Sequence, residues 1–499
     1  MLPAELLARS CDYLDFADLV AFSHISRYFR GIAFSHPTFS FNIEIDDESP
    51  LVKAWWPTRL SASQSRADIA LNLNLHESVT SDELETLVSM MREQLPRMRS
   101  LDISCRTCFG LAQFVDALTA SPAPVLRELY LTIEPSVIEP GFSPTEMDQE
   151  QSVRLPLNIF QQSAPVLATV GLTRLVIPIV EGTSEPIPAF AQVDSLVLNY
   201  PESNLPAAML YAGLGSMFPN AKNVWVACQS SAYDTDEIDD PEDEDTEAKA
   251  VQQRARTFVQ KLNHLTVLCS FFLGLQVYAN LGISSIRSLA LEPVCGTSAA
   301  IILDPLQGPL VFVITRNGDN QLTLRVGSAD DHWVDLHEDI DRYGMTELDL
   351  IAGRTIISRP LLRSPEVLRR AKSIQVGSIW PYLLPGLEMG SFPGLQRLSI
   401  GLDDMSGRAI CFPTKPLAVP SLDVLQLVAS PGAGANVDFG KLSDLMNLIE
   451  TESQPRLELR SVALSNRVEP EVHPFREISL CGIYSLLGSP LDILGYAPL

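Results

Sequence analysis

The sequence predicts an α/β fold: a small all-helical segment over residues 1–45, then a curved parallel sheet backed by helices, an irregular solenoid with inserts, over residues 46–499. Three observations carry this. Apolar residues in the first forty positions recur at three- and four-residue steps, the period of a helix. Further on, an apolar-x-x-apolar-x-apolar pattern returns eleven times, the mark of a repeating architecture. The intervals between its occurrences hold stretches that read as helices.

Leu2-Pro3-Ala4-Glu5-Leu6-Leu7 opens a helix well. Pro3 suits the first helical position, where a missing N–H costs nothing, and Glu5 complements the dipole. Apolar positions follow at Leu14, Phe16, Leu19, Val20 and Phe22, with Asp15 and Asp18 as candidate caps around a break near Tyr13–Ala17. A further helix is expected over Phe22–Ile32, placing Arg27 and Arg30 near its carboxyl end, where cations suit the dipole. The helical set ends near His36-Pro37.

The recurring pattern stands at Met98/Leu101/Ile103, Leu126/Leu129/Leu131, Leu172/Leu175/Ile177, Val193/Leu196/Leu198 and Ala221/Val224/Val226. It continues at Ile286/Leu289/Leu291, Met345/Leu348/Leu350, Ala371/Ile374/Val376, Leu395/Leu398/Ile400, Leu422/Leu425/Leu427 and Leu459/Val462/Leu464. Pro96, Pro124, Pro219, Pro393 and Pro420 stand two residues before the first position, where proline ends a helix and sends the chain into extended structure. The last two apolar positions share one face of a short strand, and the first sits in the turn that enters it. Candidate helices fill the gaps at Thr80–Leu95, Phe109–Leu118, Leu361–Ala371 and Asp438–Thr451, the first opened by a Thr80-x-x-Glu83 capping box. One strand-plus-helix unit cannot bury its apolar face alone, so neighbours must stack. An ordinary α/β domain whose strands merely share a register is the other architecture this spacing allows.

The interruptions have characters of their own. Asp234–Glu247 contains ten Asp or Glu and no Lys or Arg, so the acidic segment 230–248 reads as a solvated, disordered loop. Capture of a basic partner peptide is its functional alternative. A long helix is expected from Ala248 to about Leu275. Leu310–Thr315 and Gln321–Val326 flank Asn317-Gly318-Asp319-Asn320, which predicts a hairpin insert near 309–338.

Composition then narrows the function. The 499 residues carry 36 Lys and Arg against 61 Asp and Glu, a formal net charge of −25, which argues against nucleic acid and anionic lipid as partners. Removing the ten charges of Asp234–Glu247 leaves −25 + 10 = −15 for the rest. The most apolar stretch, Leu265–Tyr278, is too short to span a bilayer. Glu5 and Arg9 interrupt the first turns before a signal peptide's apolar region can form. A cytoplasmic or nuclear protein is expected.

Chemistry-bearing motifs are sparse. Cys105-x-x-Cys108 could be half a zinc site or a redox pair, but no further ligands follow at matched spacing, so small thiols beside a strand are expected. His332 and His337, with Asp330, Asp331 and Glu338 beside them, are the best hydrolytic or metal candidate, yet a spacing of five puts both rings on one face of neither helix nor strand. Gly432-Ala433-Gly434-Ala435 lacks a phosphate-binding context, and His473 has no nucleophile near it in sequence. The expectation is a non-enzyme without metal or cofactor.

The segment Leu2–Phe39 resembles an F-box. Matching positions are Leu2, Pro3, Glu5, Leu6, Leu7, Tyr13, Leu14, Asp18, Leu19, Ile25, Ser26, Arg27, Phe29 and Arg30, in one uninterrupted register. Ser10-Cys11 stands where the family usually carries Ile-Phe, and Phe29 where it usually has Trp. The body resembles a leucine-rich-repeat solenoid, and the combination looks like the F-box proteins of mushroom-forming fungi. The Asn that usually ties such repeats together is missing: Glu134, Val180 and Pro201 stand in its place in three units. The resemblance implies a substrate-recognition adaptor of a Skp–cullin–F-box ubiquitin ligase. Leu2, Pro3, Leu6, Leu7, Leu14 and Leu19 would then bury apolar area against a Skp-family adaptor, and through it the chain would reach a cullin. Asp18, Ser26 and Arg27 would hold the F-box together, and the repeats would bind a target protein. The alternative is a non-degradative interaction scaffold whose helical segment is a structural cap.

Overall fold

The computed structural model describes residues 3–14, 16–46, 59, 68–75, 79–134, 153–179, 186–200, 207–228, 246–269, 281, 286–292, 306, 308–317, 321–328, 333–339, 365–377, 391–402, 416–429, 435–465 and 474–481. It is a mixed α/β protein with a large, mostly parallel sheet and several helices. The chain divides into two compact units, 1–273 with 280–286, and 274–279 with 287–499. That division falls inside the span the sequence reads as one array.

The first unit opens with α1 (Ala4–Cys11), α2 (Phe16–Ser23), α3 (Arg27–Ser35) and α4 (Pro37–Ser40). Leu7, Cys11, Phe16, Leu19, Val20, Ile32, Ala33 and Phe39 bury one another in a common core, with Leu14, Phe22 and Phe29 packed against it. Two expectations are corrected here. The helix expected over Phe22–Ile32 is broken, because extended Ser26 caps α3 by accepting the Phe29 N–H at 3.3 Å. Arg27 and Arg30 therefore stand in the first turn of α3, at the wrong end for the dipole. Pro3 caps α1 from an extended conformation (φ −57°, ψ 147°) rather than taking the first helical position.

The strands of this unit are β1 (Asn42–Asp46), β2 (Ile69–Leu75), β3 (Met98–Cys105), β4 (Glu128–Ile133), β5 (Thr169–Thr173), β6 (Ser195–Tyr200), β7 (Asn223–Cys228) and β8 (His264–Cys269). Each pairs in parallel with the next in chain order. Pairing aligns Leu71, Leu101, Leu129, Val170, Leu196, Val224 and Leu265 into one row, with Leu73, Ile103, Leu131, Leu172, Leu198, Val226 and Val267 two residues on. None of the fourteen is more than 2% exposed. Each such side chain contributes about 1.5–3 kcal/mol by leaving water, so these two rows are the main stabilising term of the sheet. Helices α5 (Ser81–Gln94), α6 (Cys108–Leu118), α7 (Ala207–Met217) and α8 (Thr246–Val259) fill the intervals. The capping box closes as the sequence predicts, Glu83 donating its N–H to the Thr80 hydroxyl and accepting the Thr80 N–H in return.

Two expectations for these strands are corrected. The strand placed at Leu172/Leu175/Ile177 is Leu167/Val170/Leu172, and Pro165 stands two residues before it like the other prolines. Arg174, at φ +60°, turns the chain out of the strand and stops it from reaching Leu175. The helix expected to run to Leu275 ends at Val259, and Leu262/Leu265/Val267 supplies β8. That recovered strand divides the long gap between Val224 and Leu289.

The second unit contains β9 (Ser288–Glu292), β10 (Leu310–Asn317), β11 (Gln321–Ser328), β12 (Trp333–Asp339), α9 (Pro365–Arg370), β13 (Ala371–Val376) and β14 (Arg397–Gly401). After them come β15 (Leu417–Ala418), β16 (Val424–Val428), β17 (Ala435–Asp438), α10 (Phe439–Leu448), β18 (Ile449–Glu450), β19 (Arg456–Arg460), β20 (Val462–Ser465) and β21 (Glu477–Cys481). The predicted hairpin forms: β10 and β11 are antiparallel from Leu310↔Ser328 to Asn317↔Gln321. β12 adds a third antiparallel strand, then pairs in parallel with β9, while β10 pairs in parallel with β13. The parallel ladder resumes through β14, β16, β19 and β21. The expected strand Leu459/Val462/Leu464 is likewise out of register. Leu457 and Leu459 join the main ladder, and Ser461, at φ +55°, diverts the chain so that β20 pairs with β17. The described part of Leu361–Ala371 forms α9 and gives way to β13 at Ala371, while residues 361–364, Met345/Leu348/Leu350 and the acidic segment through Asp245 lie outside the described residues.

Candidate partner-binding surfaces

The amino-terminal helices divide their apolar residues sharply between inside and outside. Leu19 is fully buried and Leu7 only 6% exposed, so both are used up in the chain's own core and have no area left for a partner. Leu14 is half-buried against the same core, and Leu2 lies outside the described residues. Pro3 and Leu6 do face outward, Leu6 at 51% exposure. Tyr13 (90%), Ile25 (64%) and Tyr28 (37%) join them as large exposed apolar side chains, unassigned by the sequence reading to any contact. Their signal was position: Tyr13 follows α1 and Ile25 lies between α2 and α3, where no helix face hides them.

Asp18 is exposed in the first turn of α2, Ser26 caps α3, and Arg27 is exposed. Of the Ser10-Cys11 pair, Ser10 donates its hydroxyl to the Leu6 carbonyl at 3.0 Å and Cys11 is wholly buried. Burial, then the Asp12 charge, pushes the Cys11 thiol up, so it is a small core residue and not a nucleophile. Arg59 ties these helices to β1. It is 1% exposed, lies 4.0 Å over the Phe16 ring, and donates to the carbonyls of Phe39, Asn42 and Glu44. Burial lowers its pKa to about 10 against the raising effect of Glu44.

The sheets offer the second kind of surface. In the first unit, the side chains opposite the apolar rows align as Glu44, Asn72, Asp102, Tyr130, Gly171, Val197, Trp225 and Thr266. A parallel row on the same face runs from Asn42 through Ser100 and Glu128 to His264. Tyr130 lies flat across Gly171, where any Cβ would strike its ring. Burial raises the Tyr130 hydroxyl and the Asp102 carboxyl above their ordinary values; at Tyr130, Glu128 and Asp102 add to it.

In the second unit the equivalent rows carry a bonded network. Ser399 donates to Gln426 at 2.9 Å, Gln426 donates to Glu458 at 2.9 Å, and Arg397 and Arg456 close on Glu458 at 3.2 and 2.9 Å. Arg325 grips Asp335 through two bonds of 2.6 Å, with Trp333 lying across Gly327 beside it.

Among the described residues, those with catalytic potential do not converge. Cys105 is buried at the end of β3, and Cys108 opens α6 beside a cleft of about 430 Å³ lined with Phe109, Ala112, Val115, Asp116, Val153 and Arg154. His337 lies on β12 opposite Thr323, while His332, Gly432 and His473 lie outside the described residues. Among the described residues no group of three or more His, Cys, Asp or Glu could hold a metal ion, and no helix is long and apolar enough to cross a membrane. Compared with known proteins, the chain matches no family model, and no curated protein matches it.

Proposed function

We propose that this chain is a non-catalytic substrate adaptor of a Skp–cullin–F-box ubiquitin ligase, working in the cytoplasm or nucleus. Its amino-terminal helices are an F-box that docks on a Skp-family adaptor. Its strand–helix array is an irregular leucine-rich-repeat solenoid that holds a target protein, with neither nucleic acid nor membrane as a partner. One observation carries the reading: Leu6, Tyr13, Ile25 and Tyr28 crowd four large exposed apolar side chains into the segment whose sequence resembles an F-box. One chain holding two partners raises the effective concentration of the target at the ligase.

The burial of Leu7 and Leu19 in the chain's own core favours a second reading, a scaffold for which the helices are only a cap. Co-purification with a Skp-family adaptor separates the two. The wild-type chain should be retained, and Pro3→Ala combined with Leu6→Ala should abolish retention while leaving the circular dichroism spectrum unchanged. No retention of the wild-type chain would leave only the scaffold.

A further inference from the structure

We propose that the polar face of the first-unit sheet is a docking track for an extended, lysine- and arginine-rich segment of a target protein. This rests on the reading above only in that it names the target class. Glu44 and Asp102 share one row of this face and Glu128 stands on the next, and among the described residues no Lys or Arg occupies its rows from β1 to β8. Arg59 lies near Glu44, and Arg106 is paired with Glu134 past the strand ends, which leaves Asp102 and Glu128 as the carboxylates for a ligand. Arg99 stands at a register shift in β3, and exposed Arg127 and Lys222 precede the first residues of β4 and β7, so none of the three holds a position on these rows. Acidity is not general to such faces here, since the second unit places Arg325, Arg397, Arg456 and Arg460 on its own.

The face also carries aromatic surface. Tyr130 is spread flat by Gly171 and sits between Asp102 and half-buried Trp225 on one row. A guanidinium stacked on either ring and a neighbouring cation on a carboxylate form one recognition pattern, charge and cation–π together. Asp102 is half-buried, and among the described residues no cation stands beside it on the face, so an incoming arginine supplies the charge. The track crosses eight strands at ~4.8 Å spacing, which an extended peptide rising ~3.3 Å per residue matches in about ten residues.

The test uses the full chain and a fluorescein-labelled ten-residue peptide alternating arginine and serine, read by anisotropy. A peptide alternating glutamate and serine is the counterpart. The wild-type chain should bind the first, more weakly as salt rises, and not the second. Combining Asp102→Asn and Glu128→Gln should weaken binding about tenfold. Converting the ten acidic residues of Asp234–Glu247 to their amides should leave it unchanged. Asp102→Asn alone removes a desolvated charge and so does not threaten folding; it too must weaken binding. Loss with the converted acidic run but not with the face variant would overturn the proposal, as would equal binding of both peptides or of neither. The assay contains no Skp-family adaptor, so its failure leaves the ligase reading standing, and failure of co-purification leaves this measurement intact.

Discussion

The strands of the two units obey one rule on their buried faces and different rules on their polar ones. Leu101, Leu129 and Leu196 in the first unit, and Leu398, Leu425 and Leu457 in the second, occupy equivalent rows and are all at most 1% exposed. The second unit even keeps the row through its antiparallel strands, with Val334, Val326 and Phe312 in line with Ile374. Opposite these rows, the first unit carries Asp102 and Glu128 with no Lys or Arg in its rows from β1 to β8 among the described residues, Arg59 standing beside Glu44 and Arg106 on Glu134 past the strand ends. The second neutralises Asp335 and Glu458 with arginines in the rows themselves. The apolar ladder is what the fold requires. The polar face is under no such constraint, and there the units diverge.

The sharpest way to break the comparison is in the second unit. Asp335→Ala leaves Arg325 charged and 12% exposed without its main partner, so unfolding in urea should show a loss of about 3–5 kcal/mol. A loss below about 1 kcal/mol would mean that the pair does not hold the inserted strands. Next come matched core truncations. Leu101→Ala and Leu425→Ala should each cost about 3 kcal/mol, and hydrogen exchange should quicken in the truncated unit only. Quickening spread evenly over both would merge the two units into one cooperative block.

A smaller effect is expected at a helix start. Thr80→Ala removes the hydroxyl that accepts the Glu83 N–H, leaving the backbone bond of residue 80 to Glu83, and should cost about 1 kcal/mol, read as a lower thermal midpoint. The smallest effect has the opposite sign. The Asp102 carboxyl titrates above its ordinary 3.8 in the folded chain because burial disfavours its charge. Between 3.8 and that raised value the unfolded chain binds fewer protons than the folded one, so this group's contribution to stability falls as pH rises through the window. Asp102→Asn should therefore raise the thermal midpoint slightly at neutral pH. The gain should vanish once the pH is below 3.8. A midpoint that falls at neutral pH would show that the carboxylate is compensated in the chain, which would remove a reason for a basic ligand there.

Legibility in the sequence followed the reach of the interactions. Strand positions set by the apolar pattern, such as Leu126/Leu129/Leu131 and Leu422/Leu425/Leu427, lie where spacing alone places them. So does the hairpin, whose turn chemistry is local. The errors at Leu175 and Val462 arose because several apolar triplets overlapped there, and a left-handed residue, Arg174 or Ser461, decided which one the ladder used. Apolar content also hid β8 inside an expected helix, since a buried strand and a buried helix read alike over a few residues. Among the F-box-like positions, the sequence could not separate outward Leu6 from inward Leu7, neighbours of the same type on one helix.

By itself the sequence determined the α/β class, the strand–helix alternation, the capped start of α5 and the hairpin, all products of contacts within a few residues. Only the tertiary structure decided the strand registers, the two units, the pinning of α2 and α4 to β1 by Arg59, and the stacking of Glu44, Asp102 and Tyr130 into one row. Those residues are tens of positions apart in the chain. Parallel pairing brings them side by side, and no local preference encodes which strand lies next to which.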